Sequence, residues 1–284
     1  MDHQTDLHIH TIVSDGYKAP DMILEKAAEY GLARISITDH DAVGAYRNFD
    51  VDPFSLADSL GIELVTGIEL DTDYNGAEVH LLGYGIDIDH PGLNAHLHRV
   101  QAQRRKRINL QAQKLHAYFK EALIDLDAIF RPERDTVMKP HLFRSLEKAK
   151  KVSSYQEFKA LLKEHAAVNA PVVRPHLFEA IDLIRRAGGT AVLAHPGYLE
   201  KESFGMETAI RDAARHGLAG LETDYPYWKP NEKCDRQFPD AESAGVMIAR
   251  IRSLARELGL FTTRGSDAHH TDAMKQFAQG AVPA

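Results

Sequence analysis

Short apolar runs alternate with helical patterns along most of the chain, and that alternation leaves few folds open. Strand-like segments at residues 7–12, 35–38 and 62–68 are separated by helix-like stretches such as 20–30. A further strand at 78–84 follows the turn signal Asn75-Gly76, and others read at 190–194, 220–223 and 260–263, spaced by helical patterns at 177–187, 206–216 and 241–258. Strands and helices in this order specify βαβ units and a mostly parallel sheet. At 284 residues, one α/β barrel with an embellishment fits.

Between about residues 91 and 173 the strand signal gives way to helical periodicity, with Ile108, Leu115, Tyr118 and Phe119 about one turn apart. The expected organisation is a barrel built from 1–90 and 174–284, interrupted by a helical insertion over 91–173. No repeat or low-complexity tract suggests a solenoid or a linker. The 44% hydrophobic and 26% charged composition supports a full core.

Charge limits the partners. A formal net charge of −7 argues against a dedicated binder of long nucleic acid, yet leaves room for a small anionic ligand. The run Arg104-Arg105-Lys106-Arg107 reads plainly as a solvated helix face, and alternatively as a patch that steers phosphates. No stretch reaches the roughly 18 apolar residues of a membrane span, and the start lacks a basic segment followed by an apolar one. A cytoplasmic protein with no membrane partner and no obligate protein partner is expected. The single cysteine, Cys234, allows no internal disulfide, fits a reducing compartment and has no activating context.

The histidines and carboxylates carry the chemistry. In a strand, residues two apart share a face, so Asp6, His8 and His10 project together while Leu7 and Ile9 face the other way. Two imidazoles at that spacing can grip one metal ion, and a nearby carboxylate, Asp6 being the candidate, can accept the second ring N–H and fix the tautomer. One such pair is weak evidence. Its repetition is stronger: Asp39 and His40 follow one strand, Glu69 ends another after Thr66-Gly67-Ile68, and His80 sits inside an apolar strand. His195 follows Val192-Leu193-Ala194, Asp267 and His269 follow the last strand, and Asp15 sits in the turn Ser14-Asp15-Gly16. In parallel barrels such strand ends converge on one face, so these groups are expected to form a metal cluster there. His3, His90, His96, His98, His116, His165 and His216 lack that context and read as surface residues.

Together these residues give the chain a specific resemblance to the PHP (polymerase and histidinol phosphatase) superfamily, in its stand-alone phosphoesterase branch. It rests on Asp6-Leu7-His8-Ile9-His10-Thr11 with Ser14-Asp15-Gly16, Thr38-Asp39-His40-Asp41, Gly67-Ile68-Glu69 and His80-Leu81-Leu82-Gly83-Tyr84. It rests equally on Ala187-Gly188-Gly189 leading to Leu193-Ala194-His195-Pro196, and on Gly265-Ser266-Asp267-Ala268-His269. The resemblance implies a distorted seven-stranded (β/α) barrel of TIM-like form that holds two or three divalent ions, manganese, zinc or iron, and hydrolyses phosphoesters. It implies that His8, His10, Glu69 and Asp267 hold one ion, Glu69, His80 and His195 a second, and Asp15, His40 and His269 a third.

The chain departs from the family pattern at His270, where glycine is usual, and at Lys139 before Pro140-His141, where arginine is usual. Its aromatic-rich stretch 224–230 leaves the substrate open. Lys139, His141, Arg174 and His176 are candidates for binding phosphate, or ordinary residues near a helix start. His195 is a candidate general acid should the second ion be absent. The expected substrate is a small nucleotide or phosphorylated sugar, as a monoester or cyclic diester, attacked by hydroxide from cation-activated water. One alternative is a 5′-to-3′ exonuclease on short oligonucleotides, which needs a basic or stacking track such as Arg104–Arg107 or Tyr225, Tyr227 and Trp228. The other is a metal-binding module without catalysis.

Overall fold

The structure, a computed structural model, describes residues 4–47, 49–228, 238 and 240–280. His3, Lys229, Pro230 and Cys234 therefore lie outside the described residues. Seven strands lie side by side in sequence order in one sheet: β1 (Thr5–Ile9), β2 (Arg34–Ile37), β3 (Glu63–Tyr74), β4 (Ala77–Tyr84), β5 (Thr190–Leu193), β6 (Gly220–Asp224) and β7 (Phe261–Arg264). Just past the last strand the sheet bends back onto the first. Ile9 bridges Ala268, and the His10 N–H donates to the Ala268 carbonyl at 2.9 Å. The result is a nearly closed α/β barrel.

The distortion has a local cause. Where a parallel barrel would insert a helix, Asn75 and Gly76 adopt φ of 53° and 84° and turn the chain straight back, the positive-φ geometry of tight hairpin turns. β4 therefore runs antiparallel to both β3 and β5, while the other neighbouring strands pair in parallel. Two sequence expectations change as a result. The strand expected to stop at residue 68 continues to Tyr74, so Glu69 sits inside a strand rather than at its end. The first strand stops at Ile9 rather than at 12, because the chain turns at Thr11, whose carbonyl accepts from both Ser14 N and Gly16 N.

Helices α1 (Pro20–Glu29) and α2 (Pro53–Ser59) follow β1 and β2 and cover the outside of the barrel. α1 begins with proline at its first turn, a position whose N–H needs no partner, and buries Ile23, Leu24 and Ala27. Between β4 and β5 come α3 (Pro91–Phe119), α4 (Leu126–Ile129), α5 (Lys139–Lys148), α6 (Tyr155–His165) and α7 (Leu177–Arg186). α8 (Met206–Arg215), α9 (Ala241–Leu258) and α10 (Thr271–Ala278) complete the outer layer.

α3 belongs to two cores. Leu93 and Leu97 in its first turns join the main core of the barrel, whereas Ile108, Ala112 and Leu115 join a second core with Leu142, Phe143, Phe158 and Leu162 of α5 and α6. Its basic run is not a uniformly solvated face. Lys106 is exposed, Arg105 and Arg107 are half-buried, and Arg104 is buried. His96 is buried too, contrary to the surface position expected of it, because it lies on the side of α3 that also carries Leu93 and Leu97. No helix among the described residues is long and apolar enough to cross a membrane.

Burial, with Arg99 nearby, lowers His96 to about 4. In the unfolded chain the same imidazole titrates near 6.5, so below that pH the unfolded state binds the proton more readily than the native one. The contribution of His96 to stability is therefore intact above about pH 6.5 and is lost as pH falls towards 4. His96→Gln should flatten the fall in thermal midpoint across that interval, as differential scanning fluorimetry from pH 7.5 to 4 would show.

Candidate metal centre

The alternation of β1 puts Asp6 and His8 on the inner face of the barrel, and His10 follows just past the strand end. All three are fully buried. Opposite them stands Glu69, on the inward face of the β3–β4 hairpin. Its Oε2 lies 3.4 Å from His8 Nε2, 3.3 Å from His10 Nε2 and 3.1 Å from His40 Nδ1. Its Oε1 lies 3.0 Å from His80 Nδ1 and 3.4 Å from His195 Nε2. Both oxygens of one carboxylate thus face imidazoles from five different places in the sequence.

The remaining candidates, Asp15, Asp267 and His269, gather around His10. Asp267 Oδ1 is 3.0 Å from His10 Nε2, and Asp15 Oδ1 is 3.2 Å from His269 Nε2. The His10 ring stacks between those of His40 and His269, at 4.7 and 4.4 Å. Potential ligand atoms lie within 4.8 Å of one another in four groups: His10, Asp15, His40 and His269; His8, His10 and Glu69; Glu69, His80 and His195; and His40, Asp71 and His80.

Electrostatics follow from this crowding. Burial alone would raise Glu69, but His40, His8 and His80 together hold it well below the usual carboxylate range. His10 is lowered to about 3, first by burial and then by His269, which leaves its lone pair available. Three ligand-bearing or adjacent residues also sit at positive φ: Asp41 at 45°, His195 at 29° and Asp267 at 51°. Backbone strain of this kind persists only where surrounding contacts enforce it.

The donor set fits divalent cations. Among the described residues, His8 Nε2, both ring nitrogens of His10 and Glu69 Oε2 are buried and make no aligned hydrogen bond. Each such atom costs about 1–3 kcal/mol if left unsatisfied. Mixed imidazole nitrogens and carboxylate oxygens are the donors that manganese, iron and zinc take, and they differ from the all-oxygen shell of calcium.

Around this set runs a ring of carboxylates that the sequence reading largely missed. Glu222 Oε1 is 2.9 Å from His8 Nδ1, and its Oε2 accepts from the His195 backbone N–H. Asp71 Oδ1 is 2.9 Å from His40 Nδ1, and Glu78 Oε1 is 3.4 Å from His80 Nε2. Carboxylates so placed fix the tautomer and direction of a ligating ring. Asp6, expected in that role for a ring, instead accepts from two backbone N–H groups, Ser266 at 2.9 Å and His8 at 3.3 Å. It ties β1 to the loop after β7. Asp39 accepts from Thr11 and Ser14 and thereby holds the turn that presents Asp15. The signal for Glu222 was its position as an acidic residue between Leu221 and Thr223 in a buried strand. Asp71 lay past the expected end of its strand.

Beside His40 and His80 opens a cavity of about 240 Å³, walled by Arg104, Arg107, Lys139, Tyr155, Lys159 and Arg174, with Ile108, Val137, Met138 and Val172 as its apolar side. Of the four phosphate-binding candidates, Lys139 and Arg174 line it and His141 and His176 do not. The His141 Nδ1 accepts from Met138 N at the start of α5, and the His176 Nδ1 accepts from Phe178 N at the start of α7. Arg174 is paired with Glu78. Of the aromatic track expected of Tyr225, Tyr227 and Trp228, the two tyrosines are buried and Trp228 is half-buried against the main core. The Tyr225 hydroxyl donates to Asp267 at 2.9 Å, and Tyr227 accepts from Gly197 N at 3.0 Å.

Comparison with known proteins agrees with this geometry. The family profile described as PHP domain matches residues 6–170. A 5′-3′ exoribonuclease of Escherichia coli is 29% identical over 266 residues, covering 93% of this chain and 84% of that protein. A 3′,5′-nucleoside bisphosphate phosphatase of Chromobacterium violaceum is 27% identical over 221 residues, covering 76% and 75%. Among solved structures, a Bifidobacterium adolescentis protein described as a metal-dependent phosphoesterase shares the fold, with a TM-score of 0.74 at 22% identity over 94% of this chain and 88% of that one.

A glycine makes the centre sensitive to one methyl group. A Cβ at position 265 would lie 2.3 Å from both Glu222 Oε1 and His8 Cβ, so Gly265→Ala must displace His8 or its carboxylate. The variant should bind manganese at least tenfold more weakly than the parent, the scale of damage to a ligand's supporting group. Isothermal titration calorimetry of the metal-stripped proteins would check this.

Proposed function

Because the chain belongs to the PHP domain family and is a metal-dependent phosphoester hydrolase, we propose that its substrate is a small nucleotide or phosphorylated sugar, with one nucleotide unit favoured. The observation that carries this reading is the cavity of about 240 Å³ set against His40 and His80. It falls just below the roughly 300–1,000 Å³ usual for small-molecule sites, the scale of one such unit. Burial lowers both Arg107 and Lys139, and an anion entering beside them restores what desolvation cost them. The apolar wall and the Tyr155 ring offer a surface for a base or sugar.

In this proposal His8, His10, Glu69 and Asp267 hold one cation, Glu69, His80 and His195 a second, and Asp15, His40 and His269 a third, drawn from manganese, zinc and iron. Bound there, the cations supply Lewis acidity, lowering the pKa of water and neutralising charge on the phosphoryl oxygens. The chain's own groups do the rest. Glu222, Asp71 and Glu78 hold the rings of His8, His40 and His80 in place. Lys139 and Arg107 orient the phosphorylated ligand. His195 Nε2 faces Glu69 at 3.4 Å, which favours its ligand role over general acid catalysis. The cytoplasmic location expected from the sequence remains part of this reading.

A second reading, a 5′-to-3′ exonuclease on short oligonucleotides, is favoured by one observation: similarity to the Escherichia coli exoribonuclease extends over 93% of the chain. A one-nucleotide cavity also suits an enzyme that removes terminal nucleotides singly. The burial of Tyr225 and Tyr227 takes two of the three expected aromatic residues out of reach of a strand and leaves Trp228, which is half-buried. A metal-binding module without catalysis has no such support, since the relatives are named as an exoribonuclease and a phosphatase.

Steady-state kinetics with manganese on nucleoside monophosphates, 3′,5′-bisphosphates, cyclic sugar phosphates and 5′-phosphorylated oligonucleotides would decide among them. The highest kcat/KM is expected on a single-nucleotide substrate, and Lys139→Ala should raise KM by about tenfold, the loss of roughly 1.4 kcal/mol of binding, with a smaller change in kcat. A clear preference for oligonucleotides over every small substrate would replace the first reading with the second.

A further inference from the structure

The basic run of α3 contains a buried residue that the proposed chemistry leaves unused. Arg104 is buried, and its Nη2 donates at 2.6 Å to Asp41 Oδ2 and at 2.6 Å to Asp71 Oδ2. Asp71 in turn reaches His40 Nδ1 at 2.9 Å. Asp41 directly follows His40, and its carbonyl accepts from Gln101 Nε2 at 2.9 Å and from Thr136 Oγ1 at 3.1 Å. All three donors lie between β4 and β5, so the helical segment grips the loop that carries His40 at its backbone and at the Asp41 carboxylate, and reaches Asp71 on β3 as well.

The charges require this arrangement. Asp41 and Asp71 are both buried and close enough that the Asp71 N–H lies 3.4 Å from Asp41 Oδ1. Two like charges held this close repel each other, and the Arg104 guanidinium, 2.6 Å from each carboxylate, offsets that repulsion. An Asp71 free to turn would no longer hold the His40 ring, and a ligating imidazole loses affinity when its outer carboxylate is lost.

We propose that Arg104 is a positioning residue of the metal centre: by bridging Asp41 and Asp71 it fixes the loop and ring of His40, so that the helical segment sets cation affinity on that side of the cluster. The inference rests on the metal-centre reading above. Arg104 also lines the cavity beside His40, so the test must separate positioning from contact with substrate.

Manganese binding to metal-stripped protein, followed by electron paramagnetic resonance against a chelator, supplies a readout independent of turnover. Arg104→Met should weaken one manganese equivalent by about 10–100-fold while the exposed neighbour variant Lys106→Met leaves all equivalents unchanged. Arg104→Lys, which keeps the charge on a shorter side chain, should fall between and carries the test alone if the methionine variant does not fold. Unchanged manganese affinities with only a lowered thermal midpoint would make Arg104 a structural brace and overturn the proposal. So would a raised KM at unchanged affinity, which would make it a substrate contact. A parent protein that takes up no manganese overturns the metal-centre reading itself, and this inference with it.

Discussion

A carboxylate sealed inside a barrel is the constraint around which the rest of this molecule is organised. Glu69 is buried on a strand at 1% exposure, and burying an isolated ionised carboxylate is among the costliest things a fold can do. It stays ionised because His40, His8 and His80 outweigh the desolvation. Those imidazoles in turn need partners on their outward sides, and Glu222, Asp71 and Glu78 provide them. The site is therefore layered, with the imidazoles lying between the Glu69 carboxylate and an outer set of carboxylates.

The hairpin that breaks the barrel's parallel order makes this layering possible. Glu69 and Asp71 are two apart on β3, so they share a face, and Asp71 pairs directly with His80 across the antiparallel ladder. A helix in place of the Asn75-Gly76 turn would have delivered a fresh strand end with one site residue. The hairpin instead brings Glu69, Asp71, Glu78 and His80 to the same opening over a few residues of chain.

Much of this was legible in the order of residues, because strand alternation and strand ends are local properties. Asp6, His8 and His10 fall on one face for that reason, and the seven strands follow the βαβ rhythm. What escaped was decided at a distance. Glu222 is an acidic residue in a short strand until His8, more than two hundred positions away, turns its ring towards it. Arg104 looks like one more solvated cation until Asp41 and Asp71 are seen beneath it. His141 and His176 sit at helix starts, where the sequence left two roles open, and local capping takes their Nδ1 atoms. Tyr225 was read as a surface for stacking because aromatic side chains favour both interiors and ligand sites, and only the placement of Asp267 shows which it serves.

The helix Pro91–Phe119 has its first turns in one hydrophobic core and its last turns in another. Running about 43 Å at 1.5 Å per residue, it behaves as a single beam set into two walls, and the arginine that reaches the His40 loop projects from its middle. Helical rise and rotation fix where that arginine points, so inserting or deleting one residue upstream of it would swing it by about 100° around the axis. A change of length before Arg104 therefore moves the side chain that holds Asp41 and Asp71, whereas one in the turns beyond the beam's far end does not.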